Sequence, residues 1–307
     1  MCDTGRVVTS HTGGKPTAMA RILCVGSVVL DLVFSVPHHP AEDEELRASS
    51  LRVTVGGNAA NTARVLRGLG HDVTLAAVLA DHPAGAPIEA ALRQAGVELT
   101  PCRRVTGMPP LSAILLSQPY GRRTIVHHRD TPEYGLDDFA RLDLSRWHWA
   151  HFEARPGSET ERMVRHVHQC RPNLLISIEV EKVRPGIEVC FPMAQLLLFS
   201  RGYVEACGFP RPEAFLLEMR GRVPDTLMSA AWGDEGAWAI EADGALRHAP
   251  AVPPPLIVDT IGAGDTFNAG MIGSLIAGCS LRESLEAACR LAGKKVGQVG
   301  FDRLSPE

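Results

Sequence analysis

The 307-residue sequence has no CxxC pair among its eight cysteines, no excess of basic over acidic residues, and no apolar run long enough to span a bilayer. The scattered cysteines exclude a CxxC-type zinc or redox centre and read as small buried hydrophobes in a reducing compartment. With 31 basic against 35 acidic residues, the formal charge of −4 argues against a broad nucleic-acid-binding surface. The opening MCDTGRVVTSHTGGKPTAMA lacks the apolar centre of a secretory signal. It reads as a flexible extension over 1–20, with the ordered domain expected over 21–307 and a cytoplasmic location. Two nucleotide signatures are also missing. Without GxxxxGK[ST] there is no P-loop, and without GxGxxG in the first βα unit a dinucleotide-dependent dehydrogenase loses its main support.

What is present is an ordinary globular composition, 45% hydrophobic and 21% charged, in apolar runs separated by helical or polar stretches. RILCVGSVVLDLV (21–33) is continuously apolar and reads as one buried strand, with Asp31 near its carboxyl end. VTLAAVLA (73–80), WHWAHFE, LLISIEVE and QLLLFS read as further strands. Helices are expected over 59–69 and 87–94, and two more start near Gly264-Asp265 and at Ser280, the latter with a Ser-x-x-Glu capping box. Strands alternating with helices indicate an α/β fold with a mainly parallel sheet. The pieces 34–55 and 111–130 break the alternation; the second contains a hairpin around Pro119 to Arg122. They are expected to form a small separate β-sheet, a lid on the main body.

Three short stretches carry chemistry. In VDTIGAGDTFNAG (258–270), Gly262-Ala263-Gly264 directly precedes an acid and a helix. A glycine-rich turn at a helix N-terminus offers backbone N–H groups to an anion. Asp265 would repel an isolated phosphate, yet it suits a base that takes a proton from a hydroxyl attacking a phosphoryl group. An acid on a first helical turn after a flexible loop is an equally open reading of this motif alone. In GGNAAN (56–61), Gly57 permits close backbone approach while the amides of Asn58 and Asn61 suit a polyol; Asn58 would also cap the helix. Asp31 is either a receptor for sugar hydroxyls or a solvated strand-end acid. WGDEGAW, with Gly233 and Gly236, either turns beneath nucleotide phosphates or is a commonplace turn. Zinc is not expected: His148 and His151 are three apart on a strand and face opposite sides, and adjacent His127 and His128 share the defect.

Asp31, GGNAAN and DTIGAGDTFNAG in this order resemble the PfkB (ribokinase-like) family of carbohydrate kinases over about 21–304. ILCVGSVVLD, GRRTIV, ISIEVEK, PPP-x-x-VDT and AGKKVGQVGFD are similar, more narrowly, to its ketohexokinase branch. The resemblance implies a ribokinase-like, Rossmann-type sandwich with a β-sheet lid, and transfer of the ATP γ-phosphate to a ketose, the 1-hydroxyl of D-fructose. It implies that Asp31, Gly57, Asn58, Asn61 and Arg123 hold the sugar, that Gly262, Ala263 and Gly264 form the anion hole, and that Asp265 is the base. Gly233, Gly236, Gly264 and Gly293 would line the ATP site. Mg²⁺ is implied as a cofactor, with Glu205 and Glu179 reaching it through water, and K⁺ is a candidate because monovalent cations commonly stimulate the family. The family's Asn-x-x-Glu is altered here, Gly202 standing in the asparagine place. A homodimer through the lid is implied, with Asp43 reaching a neighbouring site. Another sugar as substrate, or a non-catalytic sugar or nucleotide sensor, are the alternatives.

Overall fold

In the computed structural model, residues 19–117, 122–155, 157–302 and 304 are described, Arg122 by its backbone alone. The proposed N-terminal extension, apart from Met19 and Ala20, and the tip of the 119–122 turn lie outside them. The first strand, β1 (Arg21–Val25), is followed by β2 (Val29–Val36), β3 (Ser50–Gly56), β4 (Asp72–Ala76), β5 (Val78–Asp81), β6 (Arg103–Thr106), β7 (Leu111–Ser117) and β8 (Arg122–His128). The second half carries β9 (Trp149–Glu153), β10 (Leu175–Val180), β11 (Leu196–Ser200), β12 (Leu227–Ala231), β13 (Ala237–Ile240) and β14 (Leu246–Ala249). The helices are α1 (Asn58–Gly68), α2 (Ala86–Gln94), α3 (Leu136–Phe139), α4 (Gly157–Cys170), α5 (Arg201–Ala206), α6 (Pro212–Arg222), α7 (Ala263–Ile276) and α8 (Leu281–Val296).

The main sheet runs β14-β13-β12-β11-β10-β9-β1-β4, parallel except at the β13 and β14 edge. Its strands are buried on both faces because helices cover both. Leu23 and Val25 of β1 join the core with α4, α5 and α6, while Ile22 and Cys24 face α1, α2, α7 and α8. That two-sided burial is why the strands read as continuous apolar runs. Helix α7 is buried from Asp265 to Gly273, so it lies inside the layer rather than on it. At α8, Ser280 caps and Glu283 returns the bond, the expected capping box.

The chain winds from β1 to β4 on one side and then crosses to β9 on the other, placing a topological switch between β1 and β9. In such sheets ligands bind beyond the strand carboxyl ends at this point. A second sheet, β3-β2-β7-β8, stands apart, with Val33, Ile114 and Leu116 packed together and Ile261 against them. β5 and β6 pair alone.

Two apolar runs divide where one strand was expected. The 21–33 run breaks at Gly26-Ser27, so β1 belongs to the main sheet and β2 to the small one. The break is held chemically: the Glu153 carboxylate accepts from the Ser27 N–H at 2.8 Å. Asp31 therefore sits within β2, paired with Thr54 and Ser112, not at the end of a central strand. The 73–80 run breaks at Ala77, between β4 and β5. The small sheet accordingly begins at Val29, ahead of the expected 34.

Candidate active site

Two helix N-termini meet beyond the switch point. The chain enters α7 through Gly262, whose φ of 79° is left-handed and costly for any residue with a Cβ. A Cβ there would also come within 2.5 Å of the Phe301 ring. Gly264, one residue before the acid, has open space where a side chain would project. Helix α1 is entered through Gly57 at φ 96°, where a Cβ would strike the Ser27 carbonyl. Gly57 occupies the N-cap position, so Asn58 does not cap the helix. Its amide instead donates to Glu179 Oε1 at 3.1 Å and Glu181 Oε2 at 3.4 Å.

Packing of α1 along α7 brings the two motifs into contact. Asn61 Nδ2 donates to Asp265 Oδ2 at 2.8 Å, and Thr62 Oγ1 to the Asp265 carbonyl at 3.4 Å. Burial pushes the Asp265 carboxyl up to about 8; the Asn61 bond opposes this, and the charges of Glu153 and Glu181 add to it. A carboxylate of that basicity at a helix N-terminus can abstract a proton from a hydroxyl near neutral pH.

An acidic floor lies beside it. Glu153, at the end of β9, also accepts from Ser27 Oγ (3.0 and 2.8 Å) and the Ala59 N–H (3.3 Å), tying β1, β9 and α1 together. Burial, followed by the charges of Asp265, Glu153 and Glu181, raises Glu179 well above the carboxylate range. Among the described residues Glu179 Oε2 is buried without a protein partner. Hard carboxylate oxygens with an unused acceptor fit a divalent cation such as Mg²⁺, which binds few protein ligands directly. Glu205 is not in this group; it pairs with Arg201 on α5 at 2.7 Å. Among the described residues no three His, Cys, Asp or Glu side chains converge to chelate a metal. His151 is fully buried, with its Nδ1 2.9 Å from Ser177 Oγ, and His148 Nδ1 accepts from the Arg21 N–H.

The small sheet contributes from the other side. Burial lifts Asp31 to about 6, opposed by a hydrogen bond from Ser112 and the charge of Arg52. Gly56 leaves the room that the Asp31 carboxylate fills. Arg123 Nη1 donates to Thr260 Oγ1 at 3.4 Å, and Arg52 Nη2 to Asp259 Oδ2 at 2.9 Å, so two arginines of this sheet reach the loop before α7. Asp43 is exposed, at φ 63°.

The glycines expected at the nucleotide are of two kinds. A Cβ at Gly236 would strike the Ala249 carbonyl, and one at Gly293 the Val252 carbonyl, so backbone packing accounts for both. Gly233, at φ 66°, faces open space. Sequence reasoning missed Glu153, Arg52, Asp259, Glu181 and Lys295. An acid closing an apolar strand (WHWAHFE) and a lysine inside the helical AGKKV are the signals that mark two of them.

Residues 19–139 and 231–307, which hold both helix N-termini, match the model of the pfkB family carbohydrate kinases. The chain belongs to that family. It is a carbohydrate kinase, and its fold is ribokinase-like. Ketohexokinase of Mus musculus is 37% identical over 291 residues, covering 92% of this chain and 98% of that protein. An ATP-dependent ribose-1-phosphate kinase of Halopiger xanaduensis is 27% identical over 299 residues, covering 92% and 94%. Among solved structures, ribokinase of Cryptococcus neoformans var. grubii serotype A in complex with ADP superposes with a TM-score of 0.79 at 22% identity, covering 94% and 97% of the two chains. Among the described residues no helix is long and apolar enough to cross a membrane.

Proposed function

We propose that this PfkB-family kinase transfers the γ-phosphate of ATP to a ketose hydroxyl, the 1-hydroxyl of D-fructose, in the cytoplasm. The observation that carries the reading is the meeting of Asn61 with Asp265 at 2.8 Å, a sugar-type amide on the basic carboxylate, beside the open Gly264 backbone. The 37% identity to a ketohexokinase across nearly the whole chain supports the ketose.

In this reading Asp31, Asn58 and Asn61, with the Gly57 backbone, orient the sugar between the small sheet and α1. Asp265 removes the proton of the attacking hydroxyl. The hydroxyl oxygen forms a bond to the γ-phosphorus as the bond to the bridging β–γ oxygen breaks, and ADP leaves with that electron pair. The N–H groups around Gly262, Ala263 and Gly264, at the positive end of α7, stabilise the charge spread over the transferring group. Arg123 closes from β8 with the same sign of charge, and the small sheet excludes water from the reacting atoms. Glu179, with Glu153 and Glu181 beside it, would hold Mg²⁺ through its water shell, and the ion would neutralise phosphate charge. Glu205 would take part only by turning away from Arg201. Gly233 and Gly264 would border the nucleotide, with Gly236 and Gly293 shaping its walls. A homodimer would form through the small sheet, whose Leu51, Val53, Ile125 and Val126 are exposed.

ADP release with Mg-ATP across D-fructose, ribose, tagatose and fructose 6-phosphate tests this. Turnover on fructose with a 1-phosphate product is expected. Turnover on ribose or another sugar alone would keep the mechanism and replace the substrate. Silence on all, with sugar binding retained, would turn the protein into a sensor.

A further inference from the structure

Lys295 lies on the last turns of α8 with no side-chain exposure at all, an uncommon place for a lysine. Its ammonium has three oxygen neighbours. Nζ donates to the Asp259 carbonyl at 2.9 Å and to the Gln298 carbonyl at 3.5 Å, and lies 3.5 Å from Asp259 Oδ2. On its remaining side it stands 5.5 Å from the centre of the Phe301 ring. That is the same ring against which Gly262 is packed. Asp259 completes the connection to the turn, because its Oδ1 accepts from the Ile261 N–H at 2.9 Å. One layer therefore runs from Lys295 through Asp259 and Phe301 to the first residue of the Gly262-Ala263-Gly264 turn.

We propose that Lys295 is a positioning residue that serves as a covalently tethered monovalent cation beneath the anion-binding turn. The inference rests on the kinase reading of that turn. Two carbonyls and a carboxylate converging on one buried point, with an aromatic face beyond them, are what a desolvated monovalent cation requires. Here the ammonium already fills that point, and a second unit charge at the same oxygens is not accommodated. K⁺, raised by the family resemblance, therefore does not fit these oxygens in this chain. Burial lowers the affinity of Lys295 for its proton, while Asp259, and more weakly Asp265, act in the opposite sense and Arg52 adds to the burial effect. Three oxygens set against three N–H donors keep the group charged. Its service to catalysis is indirect: by fixing the Asp259 backbone and carboxylate it fixes the Ile261 amide and the left-handed turn at Gly262.

The test measures turnover and thermal unfolding of the full chain in potassium, sodium and tetramethylammonium chloride at matched ionic strength. The wild type is expected to vary by less than about two-fold among the three once screening is equalised. Lys295→Ala vacates the ammonium and should lose about 100-fold in kcat in tetramethylammonium, the low end of the loss that follows removal of one anion-hole donor. Potassium or methylammonium should restore part of that loss, with little change in the KM for sugar. A merely structural lysine would lower the unfolding temperature without any cation-specific rescue. Wild-type turnover that rises ten-fold or more with potassium, roughly 1.4 kcal/mol, would overturn the proposal, as would a folded Lys295→Ala equally impaired in all three salts. Should Lys295→Ala fail to fold, the wild-type series decides by itself. Should no sugar be turned over, the kinase reading of the turn fails separately and the unfolding temperatures decide here. Wild type indifferent to the cation and Lys295→Ala raised by potassium or methylammonium over tetramethylammonium would support the tethered charge; a potassium-sensitive wild type would reject it.

Discussion

Asp259 and Asp265 stand at the two ends of one short loop, both buried, in opposite surroundings. Asp259 is surrounded by positive partners: the Arg52 guanidinium at 2.9 Å, the Lys295 ammonium at 3.5 Å, and the Ile261 N–H at 2.9 Å on the other oxygen. Among the described residues Asp265 takes one side-chain hydrogen bond, from the Asn61 amide, and faces the charges of Glu153 and Glu181, with the Arg123 charge acting against them. Charge compensation makes the first carboxylate a fixed anchor. Burial with far less compensation makes the second basic: desolvation holds its proton, the neighbouring acids add to that, and the Asn61 amide and the Arg123 charge oppose it only in part. The glycines between them let the chain pass from one environment to the other in a few residues.

The largest effect expected on this contrast comes from Asp265→Asn. Turnover should fall by about 10³-fold or more, the range for removing a positioned general base, while sugar affinity measured by calorimetry stays near wild type. The same substitution should raise the unfolding temperature. With a native value near 8 and an ordinary value of 3.8, the native state retains a proton that the unfolded chain has lost between those pH values. Stability from this group therefore declines as pH rises from about 4 to about 8, and neutral asparagine removes that decline. Retained turnover would sink the base assignment; an unfolding temperature that drops at pH 8 would contradict the electrostatic account of the site.

Asp259→Asn attacks the anchor and should behave in the reverse way. It leaves the Lys295 ammonium buried without its carboxylate, a change that typically costs roughly 3–5 kcal/mol. Turnover should fall less steeply than for Asp265→Asn, through a disordered turn. A folded Asp259→Asn protein with wild-type stability would show that the positive partners are not what hold this end of the loop.

Subtler changes move the basic carboxylate without removing it. The acid limb of kcat/KM, which reports the free enzyme, should lie near pH 8, far above that of an ordinary aspartate. Glu181→Gln removes a neighbouring negative charge and should shift that limb down by roughly half a unit to one unit. Asn61→Ala removes the one opposing donor and should shift it up. If the two substitutions shift the limb in the same direction, the neighbours assigned here do not set the basicity.

The positions of these groups were unequally legible in the sequence. Asp265, Asn58 and Asn61 stand out because glycine beside a polar residue at a helix start is a local pattern, and the Ser280 to Glu283 box is likewise local. Asp259 and Lys295 are 36 residues apart, and their pairing needs α8 to be laid back against the loop before α7. Lys295 follows Lys294 in a helix whose last turn welcomes cations, so nothing local separates the buried one from its neighbour. Glu153 is hidden in the same way: WHWAHFE is buried throughout its strand, and only the meeting of β1 with β9 reveals that the closing acid clamps Gly26-Ser27. That clamp is also why 21–33 is two strands, a division that an apolar run buried on both sides does not advertise. The glycines at 236 and 293 are conspicuous in sequence, but the Ala249 and Val252 carbonyls packed where a Cβ would project are visible only in the fold.

The smallest effect concerns how the small sheet is tied to the anchor. Arg52 projects from β3 with 31% of its side chain exposed, so its pair with Asp259 is partly screened and contributes about 1 kcal/mol or less. Arg52→Met should raise the KM for sugar by roughly two- to five-fold with kcat little changed, because Lys295 still holds the carboxylate. Added salt should weaken the wild type toward the variant and leave the variant nearly unaffected. A double-mutant cycle with Asp259→Asn separates the pair from everything else either residue does. Coupling of about 1 kcal/mol would mean that sugar binding is felt by the turn through this contact. Zero coupling would leave Arg123, on Thr260 at 3.4 Å, as the tie between the small sheet and the loop, and would confine the role of Asp259 to the Lys295 side.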